Sequence, residues 1–180
     1  MKLKKSCFTL VEILMVTGMI CLIAALIAVA YNGVYRSWAT RNTIATMKAA
    51  HLALDKYMLE NGSYPVSESK AALKNIADNQ PQLVNDLLQN CSPFSQKEGN
   101  SVVIFDDFGD KEHIHDIYYV FPAAASTSFA LISYGKDGNA GTDDDIIYLP
   151  AGNSTLKPGF YMGSSNSAGG VSGEIEPLAQ

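Results

Sequence analysis

Residues 133–146, Ser-Tyr-Gly-Lys-Asp-Gly-Asn-Ala-Gly-Thr-Asp-Asp-Asp-Ile, carry the densest set of chemically capable side chains in the sequence. Asp137, Asp143, Asp144 and Asp145 place four carboxylates within nine residues, and such a set repels itself unless solvent or a cation intervenes. Calcium suits it, because that ion takes six to eight oxygens and accepts carboxylates, amide oxygens and backbone carbonyls together. Gly135, Gly138 and Gly141 allow the turns that aim carbonyls inward. The pattern is not an EF-hand, since the twelfth position from Asp137 is Tyr148 instead of glutamate. Zinc is disfavoured by the absence of Cys or His in the stretch. The plainer alternative is a solvated acidic hairpin loop.

A second group is His113, His115 and Asp116, with Asp106 and Asp107 a few residues earlier. Two histidines at i and i+2 share one face of a strand and can hold a metal. No H-E-x-x-H, G-x-S-x-G or phosphate-cradling glycine loop accompanies them, so the expectation is a polar loop leading into a strand, no catalytic residue and no enzyme. Cys7, Cys21 and Cys91 make no disulfide framework, and Cys91 is left alone outside the apolar segment unless it pairs between chains.

The N-terminus sets the class. Lys2, Lys4 and Lys5 precede a run from Ile13 to Tyr31 that holds no charged side chain over nineteen residues. About twenty apolar residues at 1.5 Å rise cross a hydrocarbon core of roughly 30 Å, so this run is read as a single membrane span. Lysines ahead of it orient the N-terminus toward the cytoplasm and the remaining chain outward. Two alternatives are a buried core helix and a cleaved secretory signal using Ala24, Ala25, Ala28 or Ala30. Glu12 speaks against the signal, because a carboxylate at the head of an apolar run carries a cost that a discarded peptide has no reason to retain. Cys7 has no apolar segment before it and so is not a lipidation cysteine.

With 180 residues, the chain has room for one domain plus an appendage. Residues 1–60 carry a net charge of +4 and residues 61–180 a net of -9. The acidic part lacks the clustered Lys and Arg that neutralise phosphates, so nucleic acid is not an expected partner.

Several elements must position these groups. No proline occurs between Met1 and Tyr64, and the composition from Thr40 to Glu60 favours a helix that continues outward from the span. Ile44, Met47, His51, Leu54 and Met58 recur at spacings of three and four, a stripe able to pack on a sheet, with His51 a half-buried packing residue. Gly18 and Gly33 mark sites for a bend. Asn61-Gly62-Ser63-Tyr64-Pro65 stops the helix. Residues 71–79 and 82–89 read as short helices separated by Pro81, and residues 101–105, 115–121 and 128–134 as strands. Residues 150–162 read as an additional strand or hairpin, and the Gly- and Ser-rich stretch 163–180 as a flexible tail.

The stretch Cys7-Phe8-Thr9-Leu10-Val11-Glu12-Ile13-Leu14-Met15-Val16 resembles the processing site of type IV pilins and of the pseudopilins of type II secretion. The resemblance implies that a basic leader, residues 1–7, is removed between Cys7 and Phe8, that Phe8 is N-methylated, and that Glu12 serves assembly. Cys7 stands where the family usually has glycine. Glu12 would neutralise the new amine of a neighbouring subunit, offsetting a charge that is expensive in an isolated apolar helix. Ala53-Leu54-x-x-Tyr57 followed by Asn61-Gly62-x-Tyr64-Pro65 resembles the family's exit from its long helix. Asp107-Phe108-Gly109 resembles its D-P-W-G turn without the proline.

The acidic stretch resembles the calcium loop of major pseudopilins. Carried over, Asp137, Asp143, Asp144 and Asp145 would supply carboxylates, Asp144 and Asp145 before Asp143, with carbonyls from around Tyr134 and Asn139. The implied fold is α+β and pilin-like: a membrane and assembly helix 8–33, its outer half 34–62, and a globular domain 63–162 built on a small antiparallel sheet. The implied role is a structural subunit of a type II secretion filament, with a type IV pilus subunit as the alternative. The implied partners are copies of the chain itself, minor pseudopilins, a prepilin peptidase and an inner-membrane assembly platform. The implied location is the inner membrane, with the globular domain periplasmic or extracellular.

Overall fold

The computed structural model describes residues 9–77, 80–109, 115–121, 128–152, 156–164 and 176–177. Cys7, Phe8 and His113 lie outside these residues. The backbone divides into two compact units, Met1–Trp38 and Ala39–Gln180.

Helix α1 spans Leu10–Asn61 without interruption, so neither Gly18 nor Gly33 breaks it. Thr9 caps its start, its hydroxyl accepting the Glu12 N–H at 3.3 Å. In the first unit the large apolar side chains from Leu10 to Val34 are 51% to 79% exposed. The helix is long and apolar enough to cross a membrane, and nothing in its most apolar window is buried. Tyr31 stacks on Tyr35 at 6.2 Å, and Trp38 is exposed in the next turn.

In the second unit α1 behaves differently. Met47, Ala50, Ala53 and Leu54 are fully buried, with Ile44 and Tyr57 packed against them, so the expected stripe is the buried face. The helix ends where the Gly62 N–H donates to the Met58 carbonyl at 2.7 Å with φ +79°, a conformation that favours glycine.

Among the described residues six antiparallel strands pair in the order β1-β4-β5-β6-β7-β8, namely Ser67–Ala72, Tyr118–Phe121, Ala130–Ser133, Ile146–Leu149, Gly159–Met162 and Glu176–Pro177. A separate hairpin joins β2, Ser95–Glu98, to β3, Ser101–Ile104. Register sorts the side chains by face. Tyr119, Leu131, Tyr148 and Phe160 are successive cross-strand partners and share one core with α1. Tyr118, Ile132, Ile147 and Tyr161 form the matching row on the opposite face.

Polar bonds fasten α1 within this unit. His51 Nδ1 meets the Tyr148 hydroxyl at 2.7 Å, and its Nε2 lies 3.0 Å from Asp55. The Tyr64 hydroxyl donates to Asp55 at 2.7 Å, and Lys56 pairs with Asp86 at 2.7 Å. Burial, then the Asp55 hydrogen bond, pushes the Tyr64 hydroxyl up to about 12, so it remains a donor at neutral pH.

Three local expectations need correction. Residues 71–72 are strand, the end of β1 facing Tyr119 and Tyr118, and only then does α2, Leu73–Ala77, begin. Sheet pairing overrides the helix propensity of the two alanines. Helix α3 is Pro81–Asn90, with Pro81 in its first turn instead of before it, where a missing N–H costs nothing. Glu176–Pro177, within the stretch read as a flexible tail, pairs with β7. Pairing of Cys91 between chains also has no support, because the thiol is buried against the Thr46 carbonyl at 3.9 Å and burial pushes it up to about 12.

Candidate functional site

The acidic loop joins two central strands, β5 and β6, and its entrance is fixed by Ser133. The Gly135 N–H donates to Ser133 Oγ at 3.2 Å, and Ser133 Oγ donates to the buried Asp106 carboxylate at 2.5 Å. Gly135 has φ +62°, and a Cβ there would collide with the Asp144 carbonyl oxygen. Gly138 has φ +65° and lies over the His115 ring, where a Cβ would stand 2.9 Å from Nε2. Only glycine meets both demands at these positions.

The carboxylates hold the loop's own donors. Asp144 accepts the Lys136 N–H at 2.8 Å and the Asp137 N–H at 3.3 Å. Asp137 accepts the Asn139 N–H at 2.9 Å, and Asp145 accepts the Gly141 N–H at 2.9 Å. Burial pushes Asp144 up, but the Thr142 hydroxyl and the loop N–H groups outweigh it and hold the carboxyl below the usual range.

Thr142 sits at the focus. Its Oγ1 is 2.8 Å from Asp144 Oδ1, 3.1 Å from the Asn139 carbonyl, 3.3 Å from Asp137 Oδ1 and 3.4 Å from Asp145 Oδ1. One hydroxyl proton faces four oxygen acceptors and can satisfy only one of them well. The donor set is all oxygen, with three carboxylates of different sequence position turned to one place. Oxygen donors are the kind that hard cations take, whereas zinc favours nitrogen and sulfur. Among the described residues no group of three or more carboxylate, imidazole or thiolate side chains is placed so as to hold a metal ion as it stands.

Of the sequence-derived candidates, Asp137, Asp144, Asp145 and the Asn139 carbonyl come together around Thr142. Asp143 is exposed and is not among those acceptors. The candidate at Tyr134 is its backbone carbonyl, and the ring of that residue stacks on Tyr118 at 4.4 Å. Thr142 and Ser133 were missed as organisers, although both stand in the quoted motif. Also missed was the closure by the end of β7, where Gly163 N–H donates to the Asp145 carbonyl at 3.1 Å and Ser164 Oγ to the Gly141 carbonyl at 2.7 Å.

The remaining candidates lie elsewhere. Glu12 is exposed in the first turn of α1, where the positive end of the helix dipole favours a carboxylate. His115 faces the Gly135 carbonyl at 3.0 Å through Nδ1, and Asp116 pairs with Lys74 at 3.3 Å.

Comparison with known proteins supplies the family. The family model described as type II secretion system (T2SS), protein G matches residues 34–148, more than half of the chain and a span that includes the whole acidic loop. The type II secretion system core protein G of Aeromonas hydrophila is 28% identical over 147 residues, covering 81% of this chain and 92% of that protein. No solved structure shows a significant match. An exposed apolar helix continuing into a helix-on-sheet domain is the architecture the N-terminal motif implied, and with these matches the chain belongs to the type II secretion system protein G family, the pseudopilins.

Proposed function

We propose that the chain is the repeating subunit of a secretion filament, held in the inner membrane by the first half of α1 and drawn out as copies pack their apolar helices together. The observation that carries this reading is the family match joined to a helix whose apolar side chains from Leu10 to Val34 are exposed all round. Such a surface is costly in water and is covered either by lipid or by identical helices. The family is one of structural subunits, and no reaction is assigned to this chain.

In this reading a prepilin peptidase removes residues 1–7, Phe8 becomes the methylated N-terminus, and Glu12 pairs with that amine on a neighbouring copy. Minor pseudopilins and an assembly platform complete the machine, and the globular domain faces the periplasm. Calcium occupies the acidic loop, held by Asp137, Asp144, Asp145 and the Asn139 carbonyl, where it relieves the crowding of acceptors around Thr142. A cation binding only the folded loop stabilises the domain by mass action.

The test expresses the full chain in a host that has the secretion machinery but lacks its own G subunit. Restored secretion and filaments that cross-link between copies are expected. A chain that is inserted and processed yet never polymerises would overturn the proposal.

A further inference from the structure

The bend after β3 is tied to two distant places at once. On one side Asp107 grips α1: its N–H donates to Thr43 Oγ1 at 3.2 Å, and its Oδ2 accepts Asn42 Nδ2 at 3.0 Å. Thr43 is fully buried, and Thr46 one turn later donates to the Asn42 carbonyl at 3.0 Å. On the other side Asp106, 2% exposed, grips the entrance of the acidic loop. The donors there run in one direction, from Gly135 N–H to Ser133 Oγ and from Ser133 O–H to Asp106 Oδ2, while Asp106 Oδ1 accepts the Phe108 N–H at 3.0 Å. The Asp106 N–H donates to the His115 carbonyl at 3.0 Å, and the His115 ring meets the Gly135 carbonyl, so the same bend reaches the loop entrance by a second route.

We propose that Asp106 and Asp107 are positioning residues that couple the conformation of the acidic loop to the order of the α1 segment from Asn42 to Ala50. Adjacent residues in one bend cannot move independently, so a loop that loosens at Gly135 releases Asp106 and with it the grip of Asp107 on Thr43. Coupling of this kind is reciprocal. Anything that orders the helix there, including a neighbouring copy in a filament, tightens cation binding by the same factor that the cation orders the helix. The physiological signal rests on the calcium reading above, whereas the connection itself does not.

The experiment measures amide hydrogen exchange in the full-length chain in detergent micelles, with calcium, with magnesium and with chelator. Residues 43–50 of α1 are compared with residues 55–61 as the internal reference. Calcium is expected to slow exchange at 43–50 by about tenfold, within the usual range of allosteric coupling, and to leave 55–61 nearly unchanged. In the double variant Asn42→Ala, Thr43→Val, calcium still raises the melting temperature but the slowing at 43–50 is lost. Asp106→Asn, whose amide oxygen still accepts from Ser133, keeps the slowing, whereas Asp106→Leu abolishes it. Calcium binding with no change at 43–50, or a double variant that responds like the parent, overturns the coupling. A cation-free arm separates the two readings: Gly135→Ala, with Gly138→Ala as the milder second variant, is expected to speed exchange at 43–50 selectively. If calcium fails to bind and this arm holds, the calcium reading falls and the coupling stands. If calcium fails to bind and this arm shows no selective change, both fall.

Discussion

The two stretches of α1 have the same backbone and opposite surroundings. From Leu10 to Val34 large apolar side chains point outward in every direction, whereas from Ala39 onward Met47, Ala50, Ala53 and Leu54 form one buried face and Leu52 and Leu59 stay exposed. Backbone propensity does not separate the stretches, since helix runs through both. What separates them is the angular distribution of apolar side chains: all round for a phase that is apolar everywhere, one stripe for a partner on one side. A single helix thereby belongs to two solvents, and its residues have different energetic meaning by position.

The largest expected effect lies at the head of the first stretch. Glu12→Leu is expected to insert normally and to abolish filament formation, read by membrane fractionation and cross-linking. Normal filament yield from this variant would contradict the pairing role of Glu12. Next is a matched pair of truncations. Leu54→Ala, in the buried stripe, is expected to destabilise the folded domain by about 2–5 kcal/mol by thermal or urea unfolding. Leu22→Ala, in the exposed stretch, is expected to change it by less than about 0.5 kcal/mol. Comparable losses would erase the distinction between the stretches.

Calcium comes third. At a hundred to a thousand times its dissociation constant it is expected to add about 3–4 kcal/mol to domain stability, with magnesium much weaker, and Asp144→Ala is expected to abolish the gain. The smallest effect concerns pH. Burial outweighs the Ser133, Phe108 and His115 interactions and raises the Asp106 carboxyl above its unfolded value. Its contribution to stability is therefore full below the unfolded value and lost as pH rises through the folded one. Asp106→Asn is expected to flatten that slope, so the stability difference between variant and parent shifts in the variant's favour on going from acid to neutral pH.

Much of the frame is readable from residue order because its signals are local. The charge-free run, the stripe from Ile44 to Met58, the stop at Gly62 and the glycine-punctuated aspartates each declare themselves within a few positions. The strands β1 and β2, Ser67–Ala72 and Ser95–Glu98, do not, because their sequences are polar and their conformation comes from partners found elsewhere in the chain. Strand β6, Ile146–Leu149, is a four-residue apolar run buried on both faces, which carries no period to read. The acidic loop was legible as a cluster of carboxylates but not as a network. Nothing near Thr142 or Asp106 in the sequence shows that the fold brings the first to the carboxylates and the second to Ser133 at the loop entrance.

The bonds that hold α1 to the rest of its unit are spread from Asn42 through His51 and Lys56, reaching Asp107, Tyr148 and Asp86 in turn. A subunit pulled by its helix would load these tethers, and the apolar stripe between them, in parallel instead of one after another. Such an arrangement is expected to yield in one step at a high force, without a ladder of smaller ruptures, when single molecules are stretched from the start of α1. A filament that advances by tugging on its subunits then keeps each domain folded until the whole attachment fails.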